Sequence, residues 1–234
     1  MKALNILKNK AYAFAIVLLT SATMSTAALA GSADFAGINV GISASVNGAS
    51  MSGTHSAGNT ETAGTIDEIT QGQVGGFIPV AGYELGFNLP LGDTFFVGFG
   101  ATKISGSAEL ATATTGANHN SDSSFSLDIS DHTTYWIQPS VSIYDNSAIF
   151  VKLGRSMADL DAYGQVSGAP GNLQGTTYGI GTQTMSGSGF FIKTEAGATQ
   201  YDQISVTGVG ANKSSKVEGD PIVAYGSVTV GFNF

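Results

Sequence analysis

The 234-residue sequence contains no cysteine, and charged side chains make up only 11% of it. Without cysteine, no disulfide can stabilise the fold. Disordered chains are usually rich in charge and poor in aromatic residues, whereas 9% of this chain is aromatic and 32 residues are glycine. The composition therefore predicts many short strands that are stabilised by closure of a sheet.

Apolar runs of about 20 residues, the length of a transmembrane helix, are also missing. The apolar run Ala13–Leu19 is shorter; it follows Lys2, Lys8 and Lys10 and precedes the small residues Ala28-Leu29-Ala30. These are the three parts of a secretory signal peptide. We predict a signal peptide at residues 1–30 and a β-barrel domain at residues 31–234.

Basic residues are scarce. Residues 1–30 contain three of the 9, which leaves six basic against 17 acidic side chains, a net charge near −11. Such a balance disfavours a nucleic-acid partner. The chain also has no glycine motif before a helix that could bind a phosphate, so we expect no cofactor and no metal site.

The final stretch, DPIVAYGSVTVGFNF, alternates with period two, which indicates a strand. Small and polar residues occupy one parity, and the other parity is apolar: Ile222, Ala224, Val228, Val230, Phe232 and Phe234. An apolar face opposite a small, polar face is typical of a barrel wall between lipid and a polar lumen. An open sheet edge is not tolerated in hydrocarbon, so the barrel must close.

Seven earlier stretches show the same alternation or a shorter version of it. The predicted strands are about 35–46, 77–91, 95–101, 132–144, 149–153, 190–200, 204–209 and 222–234. Long polar segments separate them at about 47–73, 106–131, 159–187 and 211–219, and short turns at Pro90–Asp93, Asp145–Ser147 and Tyr201–Gln203. Alternating long loops and short turns are typical of outer-membrane barrels, whose short turns are periplasmic. We therefore predict an all-β fold: an eight-stranded antiparallel transmembrane β-barrel with three short periplasmic turns and four long external loops.

Aromatic residues near the predicted short turns form a girdle at that membrane surface. They are Phe35, Phe87, Phe95, Tyr144, Tyr201, Phe232 and Phe234. A soluble eight-stranded barrel would instead place large apolar residues inside and polar residues outside. The glycine-rich polar face is too narrow to cover a water-exposed surface, which favours the membrane barrel.

Three segments, VAGYELGFNL, AIFVKLGRSMADL and SVTVGFNF, resemble the small outer-membrane barrel family that includes the OmpA transmembrane domain, OmpX and the neisserial opacity proteins. The resemblance implies a Gram-negative outer-membrane location and long loops that mediate adhesion or host contact. It also implies that the assembly machinery reads the closing strand, which ends at Phe234. Pro139 departs from the pattern, and we expect a bulge or local widening there.

Four charged residues have inward parity: Glu84, Lys152, Lys193 and Glu195. Glu84 and Lys193 lie at similar heights on predicted strands that face each other across the ring, and Lys152 and Glu195 lie on neighbouring predicted strands. Buried charges are rarely left unpaired, so we expect two ion pairs that fill the bore. They act either as a static polar plug or as a rearranging gate for small ions.

Lys103 and Arg155 have outward parity near the tops of their strands. Both side chains are long enough to reach the outer-leaflet surface and contact lipopolysaccharide phosphates. Simple loop charges are the alternative.

An enzymatic role has two candidate sites. His119-Asn120-Ser121 resembles the His-x-Ser element of a lipid A deacylase, and His132 follows Asp131 at a strand top, where the two could form an acid–base pair. Neither histidine has a nucleophile placed against it in the sequence. We therefore predict no catalytic residues, and rank a structural and surface-interaction protein first, a small passive channel second and a lipid-modifying enzyme third.

Overall fold

The structure is a computed structural model that describes residues 31–56, 66–68, 78–114, 124–144, 146–164, 166–167, 171–208 and 216–234. The predicted signal peptide lies outside these residues. Within them, a 3₁₀ turn, η1 (Ser32–Phe35), precedes twelve strands. The strands are β1 (Gly37–Ser56), β2 (Ile66–Glu68), β3 (Ile78–Pro90), β4 (Phe95–Ser105), β5 (Ser107–Thr114), β6 (Ser124–Tyr144), β7 (Ser147–Gly164), β8 (Val166–Ser167), β9 (Asn172–Met185), β10 (Phe190–Tyr201), β11 (Ile204–Gly208) and β12 (Lys216–Asn233).

Eight of these strands form a closed antiparallel barrel. Their order around the ring is β1-β3-β4-β6-β7-β9-β10-β12, and β12 pairs with β1 to complete it. Closure leaves no unpaired edge in the ring, as a barrel in hydrocarbon requires. The prediction of an eight-stranded antiparallel barrel is confirmed.

The predicted membership of the ring was wrong at one strand. Strand β9 lies inside the segment 159–187 that the sequence indicated as a loop, whereas β11, predicted as the seventh strand, only extends the pairing of β12. On the outward face of β9, the apolar residues Tyr178 and Ile180 lie between threonines at 176 and 182. Two apolar residues give too short a periodic signal to distinguish this strand from a polar loop.

The third short turn is also at a different place from the one predicted. It is Ser186–Gly189, between β9 and β10, where the Ser186 amide donates to the Phe190 carbonyl over 2.7 Å and Gly189 adopts φ +82°. Tyr201–Gln203 lies at the opposite end of the barrel, so Tyr201 does not belong to the girdle. Below, "short-turn end" and "long-loop end" name the two ends of the barrel.

An apolar belt surrounds the wall of the barrel. Outward side chains such as Ile42, Leu85 and Phe95 are 57–69% exposed, whereas a soluble surface rarely carries a contiguous apolar area of this kind. Tyrosines 83, 135 and 178 mark the top of the belt, and we take the membrane-spanning part of the strands to end there. Within the described residues, no helix is long and apolar enough to cross a membrane.

Several strands continue well beyond the belt, and there the apolar side chains face the interior of the barrel. On β6 a bulge at residues 131–132 changes the parity, so that Leu127 and Ile129 point inward above it whereas Trp136 does so below it. The segment 106–131, predicted as a loop, contains β5 and the first part of β6. The interior here is an apolar cluster, termed the upper core, which consists of Ala49, Leu127, Ile129, Ala158, Leu160, Leu173, Tyr201, Ile204, Val206 and Val223.

Of the two features expected at Pro139, a bulge or a local widening, the bulge is absent, and the pairing of β6 with β7 lapses at residues 138–139. Pro139 pairs with Val97 of β4, and the pairing of β6 with β7 resumes on either side of it with an unchanged register. Proline lacks the N–H that a ladder bond needs, but its ring points outward and is exposed. The wall therefore accommodates proline without an inserted residue.

Candidate functional site

The candidate functional site is the interior of the barrel at the level of the belt. Its inner wall consists mostly of glycine, serine, threonine and asparagine, which leaves room for a few large side chains. The indole of Trp136 is the best example: a Cβ on Gly86 would lie 2.9 Å from the ring, and a Cβ on Gly98 would lie 3.2 Å from it. Glycines on β3 and β4 thus create the space that one tryptophan on β6 fills.

The structure brings the four inward charges into one network. Lys193 contacts Glu84, Lys152 contacts Glu195, and Lys152 also lies 3.5 Å from Glu84. These four side chains, termed the ion cluster, are each at most 5% exposed. The sequence had suggested two separate pairs, whereas Lys152 links them into a single cluster of zero net charge.

Lys152 and Glu195 are not on neighbouring strands, as had been expected, because β9 lies between β7 and β10. Their contact crosses β9 at Gly179, which pairs with Lys152 and whose absent Cβ would lie 3.0 Å from a Glu195 oxygen. A side chain at this position would stand between the two charges. Glycine on the missed strand therefore allows the ion pair.

Aromatic and hydroxyl groups complete the surroundings of the ion cluster. The Nζ atoms of Lys152 and Lys193 each lie 5.1 Å from the centre of the Trp136 ring, in the range of cation–π attraction. Tyr225 donates a 2.5 Å hydrogen bond to Glu195, and Thr102 donates one of 3.2 Å to Glu84. Nothing in the sequence showed that Trp136 or Tyr225 contacts the charges.

A row of hydroxyls lies immediately above the ion cluster. Thr134 and Ser156 are 2.7 Å apart, Ser156 contacts Thr177, and Thr177 and Thr199 are 2.6 Å apart. These residues stand on four adjacent strands at one height, and each is at most 6% exposed. Because every hydroxyl both donates and accepts, the row satisfies itself without charged partners.

The short-turn end is closed by a second apolar cluster. This lower plug comprises Phe35, Phe96, Ala148, Met185 and Phe191. Phe35 stacks on Phe96 at 4.8 Å and 9°, and its carbonyl accepts a 2.9 Å hydrogen bond from Asn88. Phe35 is therefore inside the barrel and not in the girdle, where the sequence had placed it, because η1 turns the chain under the barrel before β1 begins.

His132 lies at the boundary between the polar lumen and the upper core, above the membrane-spanning part of β6. Its Nε2 is 3.2 Å from the Thr134 hydroxyl, and its ring meets Tyr201 edge-on at 6.1 Å. Burial, with a smaller effect from Lys103, lowers the pKa of His132 to about 4. Burial also raises the pKa of Tyr201 above its ordinary value. His132 is therefore neutral at neutral pH, and its close contacts are Thr134 and Tyr201.

The outward cations are both paired with carboxylates. Lys103 lies 3.0 Å from Asp131, and Arg155 lies 2.8 Å from Asp202 and 3.2 Å from Gln174. Lys103 is thus the partner of the Asp131 carboxylate that the sequence had suggested for His132. Contact of either cation with lipopolysaccharide stays a prediction.

Among the described residues, no group of three or more histidine, aspartate and glutamate side chains could hold a metal ion. His119 of the His-x-Ser element lies outside the described residues.

Comparison with known proteins shows the fold. No family model and no curated protein matches the sequence. Among solved structures, the outer-membrane protein OprG from Pseudomonas aeruginosa is similar, with a TM-score of 0.53 and 14% identity over 85% of this chain and 97% of that chain. Ail, the attachment invasion locus protein of Yersinia pestis, gives a TM-score of 0.39 at 11% identity over 85% of this chain and 99% of that one. The protease OmpT from Escherichia coli gives 0.42 at 8% over 85% and 97%. At these identities only the fold is shared.

Proposed function

We propose, from the outer-membrane β-barrel fold that this chain has, that it is an integral protein of the bacterial outer membrane with a closed lumen and a surface-interaction role outside the cell. In such barrels the short turns face the periplasm and the long loops face outward. The upper core then stands outside the membrane, and the lower plug closes the periplasmic end.

The observation that carries this proposal is the obstruction of the bore at three successive levels. From the periplasmic end upward these are the lower plug, the ion cluster with Trp136, and the upper core. An eight-stranded barrel has an interior just wide enough for side chains to fill. Conduction along the axis would require all three layers to move, which favours a static ion cluster over a gate.

The part above the belt supports the interaction role. The upper core gives the parts of β6 and β7 above the belt an apolar interior, whereas the membrane-spanning region has a polar one. Surface loops that are held by a rigid scaffold are a common place for binding functions. The proposal therefore assigns adhesion-like contacts to this external part and no catalytic role to the chain.

An export route and two further partners belong to the proposal. Export through the predicted signal peptide delivers the chain, and the closing strand β12 is read by the outer-membrane assembly machinery. Lys103 and Arg155 contact lipopolysaccharide phosphates at the outer surface, where a phosphate competes with Asp131 and Asp202 for the cation.

Planar-bilayer recording of refolded residues 31–234 tests the closed lumen, with heat-modifiable gel migration on the same sample as the proof of an intact barrel. We expect no discrete openings. Reproducible openings that disappear or change in size in Glu84→Ala would contradict the proposal and support the alternative, a small passive channel that is gated by the ion cluster.

A second experiment tests the external role. Residues 115–123, which connect β5 to β6, are replaced by a short glycine–serine linker, and binding of the purified barrel to host-type cell surfaces is compared with that of the intact chain. Loss of binding with preserved heat-modifiable migration is expected. Equal binding by both proteins would exclude this loop as the contact.

A further inference from the structure

The pairing of β4 and β5 with β6 is interrupted just above the belt. The pairing of β4 with β6 ends at Lys103↔Thr133, and the pairing of β5 with β6 begins at Ser107↔Ser130. Between these pairs, residues 104–106 on one side and 131–132 on the other are not in register with each other. Both sides are distorted here, since Gly106 has φ +138° and Asp131 has φ +52°. A non-glycine residue in the left-handed region is uncommon and costs energy unless the surroundings enforce it.

A cavity lies inside the barrel beside this interruption. It is lined by Ile104 and His132 from the interruption and by Glu84, Lys152 and Glu195 of the ion cluster. Its volume is about 30 Å³, enough for about two waters. The other lining residues all carry a hydroxyl, among them Ser43 and Ser227, but most of the surface exposed to the cavity is apolar.

One side chain spans the interruption from outside. Lys103 of β4 reaches across to β6, where its Nζ lies 3.0 Å from the Asp131 carboxylate and 3.3 Å from the Asp131 carbonyl. The Lys103 side chain is 29% exposed and that of Asp131 is 58% exposed. A solvent-exposed ion pair of this kind is weak, so it opens more readily than the layers of buried side chains along the axis.

We propose that the interruption is a side entrance through which water and small neutral molecules with hydrogen-bonding groups reach a binding site beside the ion cluster, and that Lys103 restricts it. A neutral ligand is favoured because the ion cluster has no net charge and the other lining residues are uncharged, with a few hydroxyls beside a mainly apolar surface. This inference goes beyond the proposed function, because a barrel that is closed along its axis can still exchange small molecules sideways.

The absence of cysteine makes a direct test possible. The single-cysteine variant Ser227→Cys places a thiol in the cavity, and Ala148→Cys places one in the lower plug, where the alanine is fully buried. Both are treated with methyl methanethiosulfonate, a small uncharged reagent, and the rate of modification is measured by mass spectrometry. We expect Ser227→Cys to react about tenfold faster or more, because the thiol in the plug needs local unfolding to react.

The role of Lys103 is tested in the same background. Lys103→Ala is expected to raise the rate at Ser227→Cys severalfold and to leave Ala148→Cys unchanged. Arg155→Ala is the matched control, since it removes an outward cation from an exposed ion pair away from the interruption, and it should change neither rate.

Two results would overturn the proposal. One is a Ser227→Cys rate no greater than that of Ala148→Cys in both the parent and the Lys103→Ala background. The other is a rate that Lys103→Ala leaves unchanged, as expected if the reagent arrives through the upper core. Should Ser227→Cys fail the heat-modifiability check, Ser43→Cys reports on the same cavity.

Discussion

Replacing Glu84 by glutamine should destabilise the barrel strongly, because Glu84 contacts both lysines of the ion cluster. Glutamine has nearly the same shape but no charge, so Lys193 loses its only carboxylate contact in the cluster, whereas Lys152 keeps Glu195. Removing one partner of a buried ion pair costs about 3–5 kcal/mol, since the remaining charge stays away from water. We therefore expect the free energy of unfolding to fall by about that amount.

The single tryptophan of the chain supplies the assay. Trp136 lies 5.1 Å from both lysines, so its fluorescence follows urea unfolding of the barrel in lipid vesicles at the site of the change. The free energies follow from linear extrapolation. Asp202→Asn is the control, because it breaks the exposed ion pair with Arg155, and pairs of this kind contribute about 0–1 kcal/mol.

A double variant makes the test more specific. Glu84→Gln combined with Lys193→Met removes both members of one pair and leaves Lys152 with Glu195. It should be more stable than Glu84→Gln alone, since no unpaired charge is left. A Glu84→Gln barrel within about 1 kcal/mol of wild type, or a double variant less stable than the single one, would refute the argument from buried charge.

Three further predictions concern other layers of the barrel. The pKa of His132 falls from its ordinary value of 6.5 to about 4 in the folded barrel, so its contribution to stability is complete above pH 6.5 and is lost as the pH falls to about 4. The free energy of unfolding of the wild-type barrel should fall by up to about 3 kcal/mol over this window. The urea midpoints of His132→Gln should not show this fall, because glutamine does not titrate. Gly86→Ala puts a Cβ 2.9 Å from the tryptophan ring and should lower the free energy of unfolding by about 1–3 kcal/mol. Gly187→Ala, whose Cβ would have nothing within 4 Å, should lower it far less. Equal urea midpoints for the two variants would contradict this reasoning. Phe35→Ala should cost about 3–5 kcal/mol because the side chain is fully buried, and Phe234→Ala, which is 78% exposed, should cost clearly less in the same unfolding assay.

Much of the membrane-spanning region follows from period-two alternation alone. A strand buried between lipid and lumen must place apolar residues on one parity and small or polar ones on the other. That rule located most ring strands and put Glu84, Lys152, Lys193 and Glu195 on the inner wall. It failed at β9, because most residues on both faces of that strand are small or polar and local pattern cannot separate such a strand from a loop.

The upper core shows a different limit of the sequence. Leu127 and Ile129 share sequence parity with outward Tyr135 and Ile137, yet they point inward, because the extra residue at the bulge rotates the strand by one position. The phase of the alternation changes there, and no local signal in the sequence gives the position of the change. Only the pairing of β6 with β7 fixes it, since β7 continues from Ser156 to Leu160 without a change of phase.

The sequence by itself determined that this chain closes into an eight-stranded barrel with lipid outside and charges inside, because those features depend on residue type and spacing along one strand. The tertiary structure decided which strands are neighbours, and with them the single ion cluster through Gly179, the position of Phe35 in the lower plug, and the interruption beside Lys103. The physical reason is that a contact across the barrel depends on the order and register of the strands between the two residues. A single miscounted strand changes the neighbours of every side chain beyond it.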